Sequence, residues 1–218
     1  MGETKIVLVF DLDETLSGQY PLPYSGVPIL NNQLIDLIKE ANKQKRKTVD
    51  AIFLLTNNSD ENFIKACVKG IGENIFDYIM TANSKAINIK TLQPYKNTLR
   101  TNGANKTIED IKYMLNKLGK STENIFSRCY FFDDNNSHPL SQIDNFIFIN
   151  PPFNRTNGFS PIPEEKLEKV RMAIQDGYNS SYNYENRLFG FGGYRKRITK
   201  YNYKKTSRRK TKSKRRNL

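Results

Sequence analysis

The feature that most constrains the fold is a short apolar run that stops abruptly at two carboxylates. Residues 5–10 read Lys-Ile-Val-Leu-Val-Phe, and Asp11-Leu-Asp13 follows directly. A continuous apolar run of this length is typical of a strand buried on both faces, as in a parallel sheet covered by helices. Such sheets bind ligands beyond the carboxyl ends of their strands. Asp11 and Asp13 would project from one face if the strand continued through them.

Two carboxylates this close together repel each other unless a cation or a proton lies between them. A divalent metal ion with oxygen ligands is the simplest way to relieve that repulsion. The residues Asp11-Leu-Asp13-Glu-Thr15 resemble the DxDxT signature of the haloacid dehalogenase (HAD) superfamily, whose members are mostly Mg²⁺-dependent phosphohydrolases. An acidic strand end that leads into a turn is the alternative interpretation of this motif alone.

Strand-like and helix-like patterns alternate along the rest of the chain, which indicates a three-layer, Rossmann-like α/β sandwich with a mostly parallel central sheet. The resemblance implies the same HAD-like fold and covers about residues 5–150. A Pro- and Gly-rich segment at 17–28 suggests a flap or tight hairpin beside the first strand. Residues 84–105 have no readable period. We expect further strands at 51–56, 75–81, 129–133 and 145–150, and helices at 29–47, from Ser59 to Gly70 or Gly72, at 107–118 and at 163–175.

The resemblance assigns catalytic roles to the polar residues at the strand ends. Asp11 matches the nucleophile, which would form an aspartyl-phosphate. Asp13 matches the general acid/base, and also the position whose backbone carbonyl binds the metal ion. Thr56, at the end of the second strand, matches a hydroxyl that hydrogen-bonds the transferring phosphoryl group.

The remaining motif positions lie further along the chain. Lys106 fits the lysine that neutralises the phosphoryl oxygens, with Lys85 as its competitor. Asp134 matches a Mg²⁺ ligand, and Asp133 the residue that orients the lysine or a metal-bound water. Asn57 and His138 are two further candidate substrate contacts. A lone histidine before proline is more often a loop residue, which is the alternative interpretation of His138.

Neither segment between the motifs is long enough for a full cap domain, so we expect an open site that suits a phosphorylated macromolecule better than a small metabolite. Asp13 argues against the dehalogenase branch, which lacks an acid there. The hexapeptide at 11–16 also resembles the motif of the phosphatases that act on the C-terminal domain of RNA polymerase II, another cap-poor HAD branch. A nucleic-acid end phosphatase, as in the HAD half of polynucleotide kinase-phosphatases, is the rival candidate. The alternative from another class is a catalytically inactive HAD-fold protein that binds nucleic acid or acts as a scaffold.

The charge is distributed unevenly between a domain at 1–176 and a tail at 177–218. Residues 195–218 contain 13 Lys and Arg and no acidic residue, whereas the preceding 194 residues hold 22 basic and 22 acidic residues. The tail begins rich in Tyr, Asn and Gly and then becomes basic, a composition that cannot bury enough apolar surface to fold alone. We therefore predict that the tail is disordered.

Aromatic side chains between Lys and Arg residues can stack on bases while the basic side chains contact phosphates, so the tail is a candidate nucleic-acid-binding segment. A nuclear-localisation signal and a solubilising segment are the alternatives. The residues concerned are Arg195, Lys196, Arg197, Lys204, Lys205, Arg208, Arg209 and Lys210.

Other features of the sequence bear on where the protein works. Cys67 and Cys129 fall in a helical and a strand pattern and are predicted to be small core residues rather than a disulfide or metal pair. No secretory signal and no membrane-spanning run is recognisable, which favours an intracellular protein, cytoplasmic or nuclear, with no membrane partner. Abundant Asn, Lys, Ile and Tyr are typical of AT-rich genomes, including those of large DNA viruses.

Overall fold

The first strand, β1 (Ile6–Phe10), lies inside a mixed sheet, as its apolar composition predicts. The computed structural model describes residues 5–18, 27–82, 86–88, 93–94, 105–150, 153 and 158–178. Within these ranges the sheet has seven strands in the order β5-β4-β3-β2-β1-β6-β7. The other strands are β2 (Val49–Leu55), β3 (Tyr78–Met80), β4 (Ala86–Asn88), β5 (Gln93–Pro94), β6 (Cys129–Asp133) and β7 (Asn145–Phe148).

Five neighbouring strands are parallel, in the spatial order β3-β2-β1-β6-β7, which confirms the predicted α/β fold class. The two short strands β4 and β5 extend the sheet beyond β3 in antiparallel fashion. They lie in the segment 84–105, for which the sequence pattern predicted no secondary structure. Because β1 pairs with β2 on one side and with β6 on the other, the chain order reverses at β1. Ligand sites in open α/β sheets lie at the carboxyl ends of strands at such a reversal.

Helices cover both faces of the sheet and form the outer layers. Alternate side chains of β1 pack in two separate hydrophobic cores, with Ile6, Leu8 and Phe10 in one and Val7 and Val9 in the other. The first core includes side chains of α1 (Asn32–Lys43), α2 (Glu61–Ile71) and α5 (Glu164–Asp176), and the second includes those of α3 (Ile108–Lys117) and α4 (Ile125–Arg128).

Two helix boundaries differ from the sequence prediction for local reasons. Helix α1 is shorter than the predicted 29–47, because Asn31 caps its start and Gln44 ends it. Ser59 was predicted to cap α2, but Asp60 does so by accepting hydrogen bonds from two backbone N–H groups. Gly72, rather than Gly70, follows the end of α2. No periodic pattern in the sequence indicated α4 or the 3-10 helix at Pro139–Gln142.

The predicted hairpin after β1 is pinned at its base. The Gly18 N–H donates to the Ile29 carbonyl and the Asn31 N–H to the Leu16 carbonyl, each at 2.9 Å. Ser17 and Leu30 form an antiparallel bridge between these two bonds. The tip of the predicted flap, residues 19–26, lies outside the described residues.

The structure also bears on the predictions for the cysteines and for membrane-spanning segments. Cys67 and Cys129 are both buried and free, as predicted. No helix in the described part of the chain has the length and apolar character needed to cross a membrane. Helix α5 ends at Asp176, and the tail from 179 onward lies outside the described residues, so the domain boundary at 176 stays a prediction.

The edge of the sheet opposite the carboxyl ends is held by one buried guanidinium. Arg128 is 3% exposed and donates to the carbonyls of Glu123 and Lys5, each at 2.9 Å, and to that of Ser121. It also pairs with an Asp50 carboxylate oxygen at 2.9 Å. Arg128 thereby links the residues that start β1, β2 and β6.

We expect Arg128→Met to lower the free energy of unfolding by about 2–5 kcal/mol, because three carbonyls and a carboxylate lose their donor. The matched control is Arg171→Met, since Arg171 pairs with Glu164 and Glu168 on the surface of α5 and should cost under about 1 kcal/mol. Urea unfolding measures both. Equal, small losses in the two variants would contradict the role given to Arg128.

Candidate active site

The carboxyl ends of β1 and β6 bring two aspartates to one buried ammonium group. Lys106 Nζ donates to Asp133 Oδ2 at 2.6 Å and also to Asp11 Oδ1. The exposed fractions of Asp11, Lys106 and Asp133 are 4%, 2% and 0%. Three charged groups so far from water are retained only where each has charged or hydrogen-bonding partners.

Lys106 is positioned by the start of α3. The next residue, Thr107, is the N-cap and forms a capping box with Asp110, which fixes the chain just after the lysine. The ammonium also lies 5.8 Å from the centroid of the Phe131 ring in β6. Of the two lysines that the sequence proposed, Lys106 therefore lies in the acidic site, whereas Lys85 is outside the described residues.

A third carboxylate completes an acidic cluster. Asp11, Asp133 and Asp134 each offer an oxygen within 4.8 Å of the others. Asp133 Oδ1 also accepts a hydrogen bond from the Asn135 N–H at 2.7 Å. The cluster carries three negative charges when ionised, against the single positive charge of Lys106. Carboxylate oxygens are the ligands that hard divalent cations prefer, so this donor set fits Mg²⁺.

Asp134 is tied to the turn after β1 through Thr15. The Asp134 N–H donates to Thr15 Oγ1 at 3.0 Å, and the Thr15 hydroxyl lies 3.4 Å from Asp134 Oδ1. The Thr15 carbonyl accepts a hydrogen bond from Asn31 Nδ2 at 3.2 Å, while Asn31 Oδ1 caps α1. Sequence reasoning missed Asn31. The one sequence feature that could have indicated its role is that it is an asparagine directly before a helical pattern.

Burial, and then repulsion between neighbouring carboxylates, raises the pKa values of Asp11 and Asp134. Burial raises the pKa of Asp11 to about 8; Lys106 opposes this shift, and repulsion from Asp133 adds to it. Burial, with repulsion from Asp133, raises the pKa of Asp134 to about 6. Burial alone would lower the pKa of Lys106, but the attraction of Asp11 and Asp133 outweighs it and raises that pKa. A divalent cation among these oxygens would lower the pKa of both carboxyl groups.

Asp11 and Asp13 do not lie on a continuing strand, because β1 stops at Phe10 and the chain turns. The Leu16 N–H reaches back to the Leu12 carbonyl at 3.0 Å, and Glu14 adopts a left-handed conformation with φ of 59°. The Asp13 side chain lies outside the acidic cluster, although its negative charge contributes to the raised pKa of Asp11. The role assigned to its backbone carbonyl stays a prediction.

The end of β2 supplies the partners of Asp13. Thr56 Oγ1 lies 3.3 Å from Asp13 Oδ2, and Asn58 Nδ2 donates to Asp13 Oδ1 at 2.8 Å. The Asn58 N–H donates to Thr56 Oγ1 at 3.0 Å, which closes a small network. Sequence reasoning identified Thr56 but missed Asn58, although its place in the polar end of a buried strand was a signal.

Asp13 also opens onto a recess of about 600 Å³. Asn57, a predicted substrate contact, lies in its wall. His138, the other predicted contact, is only 5% exposed, precedes the 3-10 helix and is not in that wall. The basic residues predicted to bind nucleic acid, 195–210, lie outside the described residues. The full set that lines the recess is Asp13, Glu14, Ser17, Gly18, Asn57, Asn58, Ser59 and Phe153.

The comparisons with known proteins bear on the fold. No family model matches the sequence, and no curated protein matches it. A solved structure from Mesorhizobium loti, described as a HAD-like phosphatase, superposes with a TM-score of 0.51 at 13% identity, covering 82% of this chain and 90% of that one. This chain has a HAD-like fold. A haloacid dehalogenase-like hydrolase protein from Bacillus subtilis was also found, with a TM-score of 0.48 at 12% identity, covering 81% of this chain and 90% of that chain.

The raised pKa values predict how the stability of this HAD-like domain responds to pH and metal. Carboxyl groups titrate near pH 4 when unfolded, so the folded, metal-free protein holds extra protons, and its stability falls as pH rises from about 4 to about 8. Mg²⁺ needs the deprotonated carboxylates, so its stabilising effect grows over the same range. We expect saturating Mg²⁺ to raise Tm by about 5 °C or more at pH 8, and by less at pH 5.5.

The control for this measurement is Asp134→Asn, followed by the same thermal unfolding. Removing one of three mutually repelling carboxylates should raise the Tm of the metal-free protein at pH 8 and remove most of the Mg²⁺ effect. A Mg²⁺ effect of equal size at both pH values, or one unchanged in Asp134→Asn, would count against a metal site in this cluster.

Proposed function

We propose that the protein is a Mg²⁺-dependent phosphomonoester hydrolase that acts through an aspartyl-phosphate on Asp11. The observation that best supports this proposal is the buried Lys106 ammonium between Asp11 and Asp133, directly beside Asp134. The HAD-like fold, shared with a structure described as a phosphatase, agrees with it. Phosphoryl transfer is catalysed mainly by positioning and charge stabilisation, and this site offers both.

Asp11 is the proposed nucleophile. One carboxylate oxygen attacks phosphorus, a new O–P bond forms, and the bond to the leaving oxygen breaks. Lys106 holds the attacking carboxylate in place and neutralises charge on the phosphoryl oxygens, because its ammonium lies within hydrogen-bond distance of Asp11. Asp133 holds that ammonium from the other side.

Asp13 is the proposed general acid and base. Its protonated carboxyl gives a proton to the leaving oxygen, and the resulting carboxylate then takes a proton from the water that hydrolyses the aspartyl-phosphate. Thr56 and Asn58 hold the two oxygens of this carboxyl group at the wall of the recess. The leaving group therefore departs on the side of Asp13 that faces the recess.

Mg²⁺ would be held by Asp11 and Asp134, with Asp133 beside them, and would supply the positive charge that lets an anionic nucleophile approach a phosphate dianion. Thr15 fixes the orientation of Asp134. A catalytically inactive scaffold would have no reason to keep two buried carboxylates, a partly buried third one and a buried lysine together, because such a cluster is costly to fold.

We expect Asp11→Asn to lower the rate of Mg²⁺-dependent hydrolysis of p-nitrophenyl phosphate by at least about 10³-fold, because an amide cannot attack phosphorus. Lys106→Met should lose about 10²-fold or more, because no other buried cation replaces it among the described side chains of the site. Steady-state kinetics with the full chain measures both.

The matched variant is Lys85→Met, which should keep the wild-type rate if Lys106 is the lysine of the site. Acid-quenched wild-type protein should also carry phosphate on Asp11, readable as a mass increase that Asp11→Asn lacks. A wild-type protein inactive with Mg²⁺ on a broad panel of phosphomonoesters would refute the proposed activity.

We further propose that the phosphate is carried by a macromolecule. The described segments between Asp13, Thr56 and Lys106 contain helices and short strands of the sheet, and no separate domain is found in them to close over the recess. An open recess favours a substrate whose bulk stays outside. Phosphoproteins and phosphorylated nucleic-acid ends are the two kinds of macromolecular substrate to compare.

The tail is proposed to bind nucleic acid through charge, since residues 195–218 carry 13 Lys and Arg. We expect affinity for a single-stranded oligonucleotide to fall at least about 100-fold between 50 and 200 mM salt. Truncation after Gly193 should abolish this binding and leave hydrolysis of p-nitrophenyl phosphate intact. Binding independent of salt, or unaffected by the truncation, would reject the proposal.

A further inference from the structure

The recess beside Asp13 has a distinctive chemical lining. Two of its residues are carboxylic acids, Asp13 and Glu14, and none of its described lining residues is Lys or Arg. Neutral hydrogen-bonding groups come from Ser17, Asn57 and Ser59, among others. The described part of the lining therefore offers polar contacts but no positive charge for an additional anionic group.

One wall of the recess is an aromatic ring held from two sides. A Cβ added to Gly18 would lie 2.0 Å from a carbon of the Phe153 ring, so the ring packs directly on the Gly18 backbone. The Phe159 ring contacts Phe153 from another side, with centroids 5.0 Å apart and planes at 60°. Phe153 is half-buried, which leaves part of its ring facing the recess.

We infer that this recess receives the leaving group of the substrate, and that this group carries a neutral planar ring that packs against Phe153. The inference rests on the proposed function, because it takes Asp13 as the acid that protonates the leaving oxygen. Since Asp13 lines the recess, a leaving group bonded to that oxygen lies inside it.

Charge and shape select this class of leaving group. A further phosphate or carboxylate would be repelled by Glu14, with no basic residue in the described lining to offset the repulsion. A planar ring gains both area and favourable ring geometry on Phe153. The volume of about 600 Å³ admits one ring system with its linker. A nucleic-acid end, with its further phosphates, is disfavoured here.

The test compares two esters whose leaving alcohols are both primary and similar in acidity: benzyl phosphate and cyclohexylmethyl phosphate. Only the first has a planar ring. We expect the full-length protein with Mg²⁺ to show a kcat/KM about 3- to 10-fold higher on benzyl phosphate, the range that aromatic pairs provide. Phe153→Leu keeps an apolar side chain and should bring this ratio close to one.

A second variant changes the position of the Phe153 ring without changing Phe153 itself. Gly18 has no positive φ, so Gly18→Ala adds only a methyl group, which must displace Phe153. The variant should lose the preference for benzyl phosphate over cyclohexylmethyl phosphate, whatever its absolute rate on either ester. A preference that persists in both variants would overturn the role of Phe153.

Glu14 is tested with 4-carboxybenzyl phosphate. Wild type should disfavour it relative to benzyl phosphate by about 2- to 5-fold, as expected for a partly exposed pair of like charges, and Glu14→Gln should remove the difference. An equal rate on both esters in wild type would contradict the charge argument.

The outcomes separate this inference from the proposed function. Failure to hydrolyse any ester overturns both, whereas equal hydrolysis of the benzyl and cyclohexylmethyl esters overturns only the inference. A phosphotyrosine side chain of a protein is a macromolecular source of such a ring, and a nucleoside 5′-monophosphate supplies a ring as a small molecule. Faster hydrolysis of the nucleotide than of a phosphotyrosine peptide would contradict the macromolecular substrate proposed above. Faster hydrolysis of a 5′-phosphorylated oligonucleotide than of the mononucleotide contradicts the inference.

Discussion

The structure depends on one buried ammonium group that holds two carboxylates together at the end of the sheet. Without Lys106, the fold would have to keep Asp11, Asp133 and Asp134 close to one another with no compensating charge. Two parallel strands, β1 and β6, bring the aspartates to the same edge, and the capped start of α3 delivers the lysine. The sheet and helices act as a scaffold that keeps a strained charge distribution in one place.

Much of this arrangement could be predicted because it is encoded locally. Apolar runs that end in Asp11, Thr56 and Asp133 identify three strands, and the parallel sheet then brings those ends to one edge. Lys106 was favoured because it directly precedes a strong helical pattern, and the structure places it on Asp11. The order of strands and helices followed from the same alternation.

Other features could not be predicted, because they depend on turns and on contacts between distant segments. The direction of Asp13 follows from a turn with a left-handed residue at Glu14, which no periodicity reveals. The contact of Phe153 with Gly18 joins segments 135 positions apart, and nothing in either segment indicates the other. The choice of Asp60 over Ser59 as a helix cap shows that two suitable neighbours cannot be distinguished by residue type alone.

The hydrogen bonds at the base of the predicted hairpin fix the two ends of a segment beside the site, so that this segment can vary without moving the residues of the site itself. Gly18 and Ile29 are clamped together, and Asn31 links the second side of the clamp to Thr15 and so to Asp134. The loop that joins Gly18 to Ile29 is therefore attached at two fixed points. Protein engineers could graft loops of other lengths between those points to alter substrate choice, and natural variation could do the same, with the chemical machinery left in place.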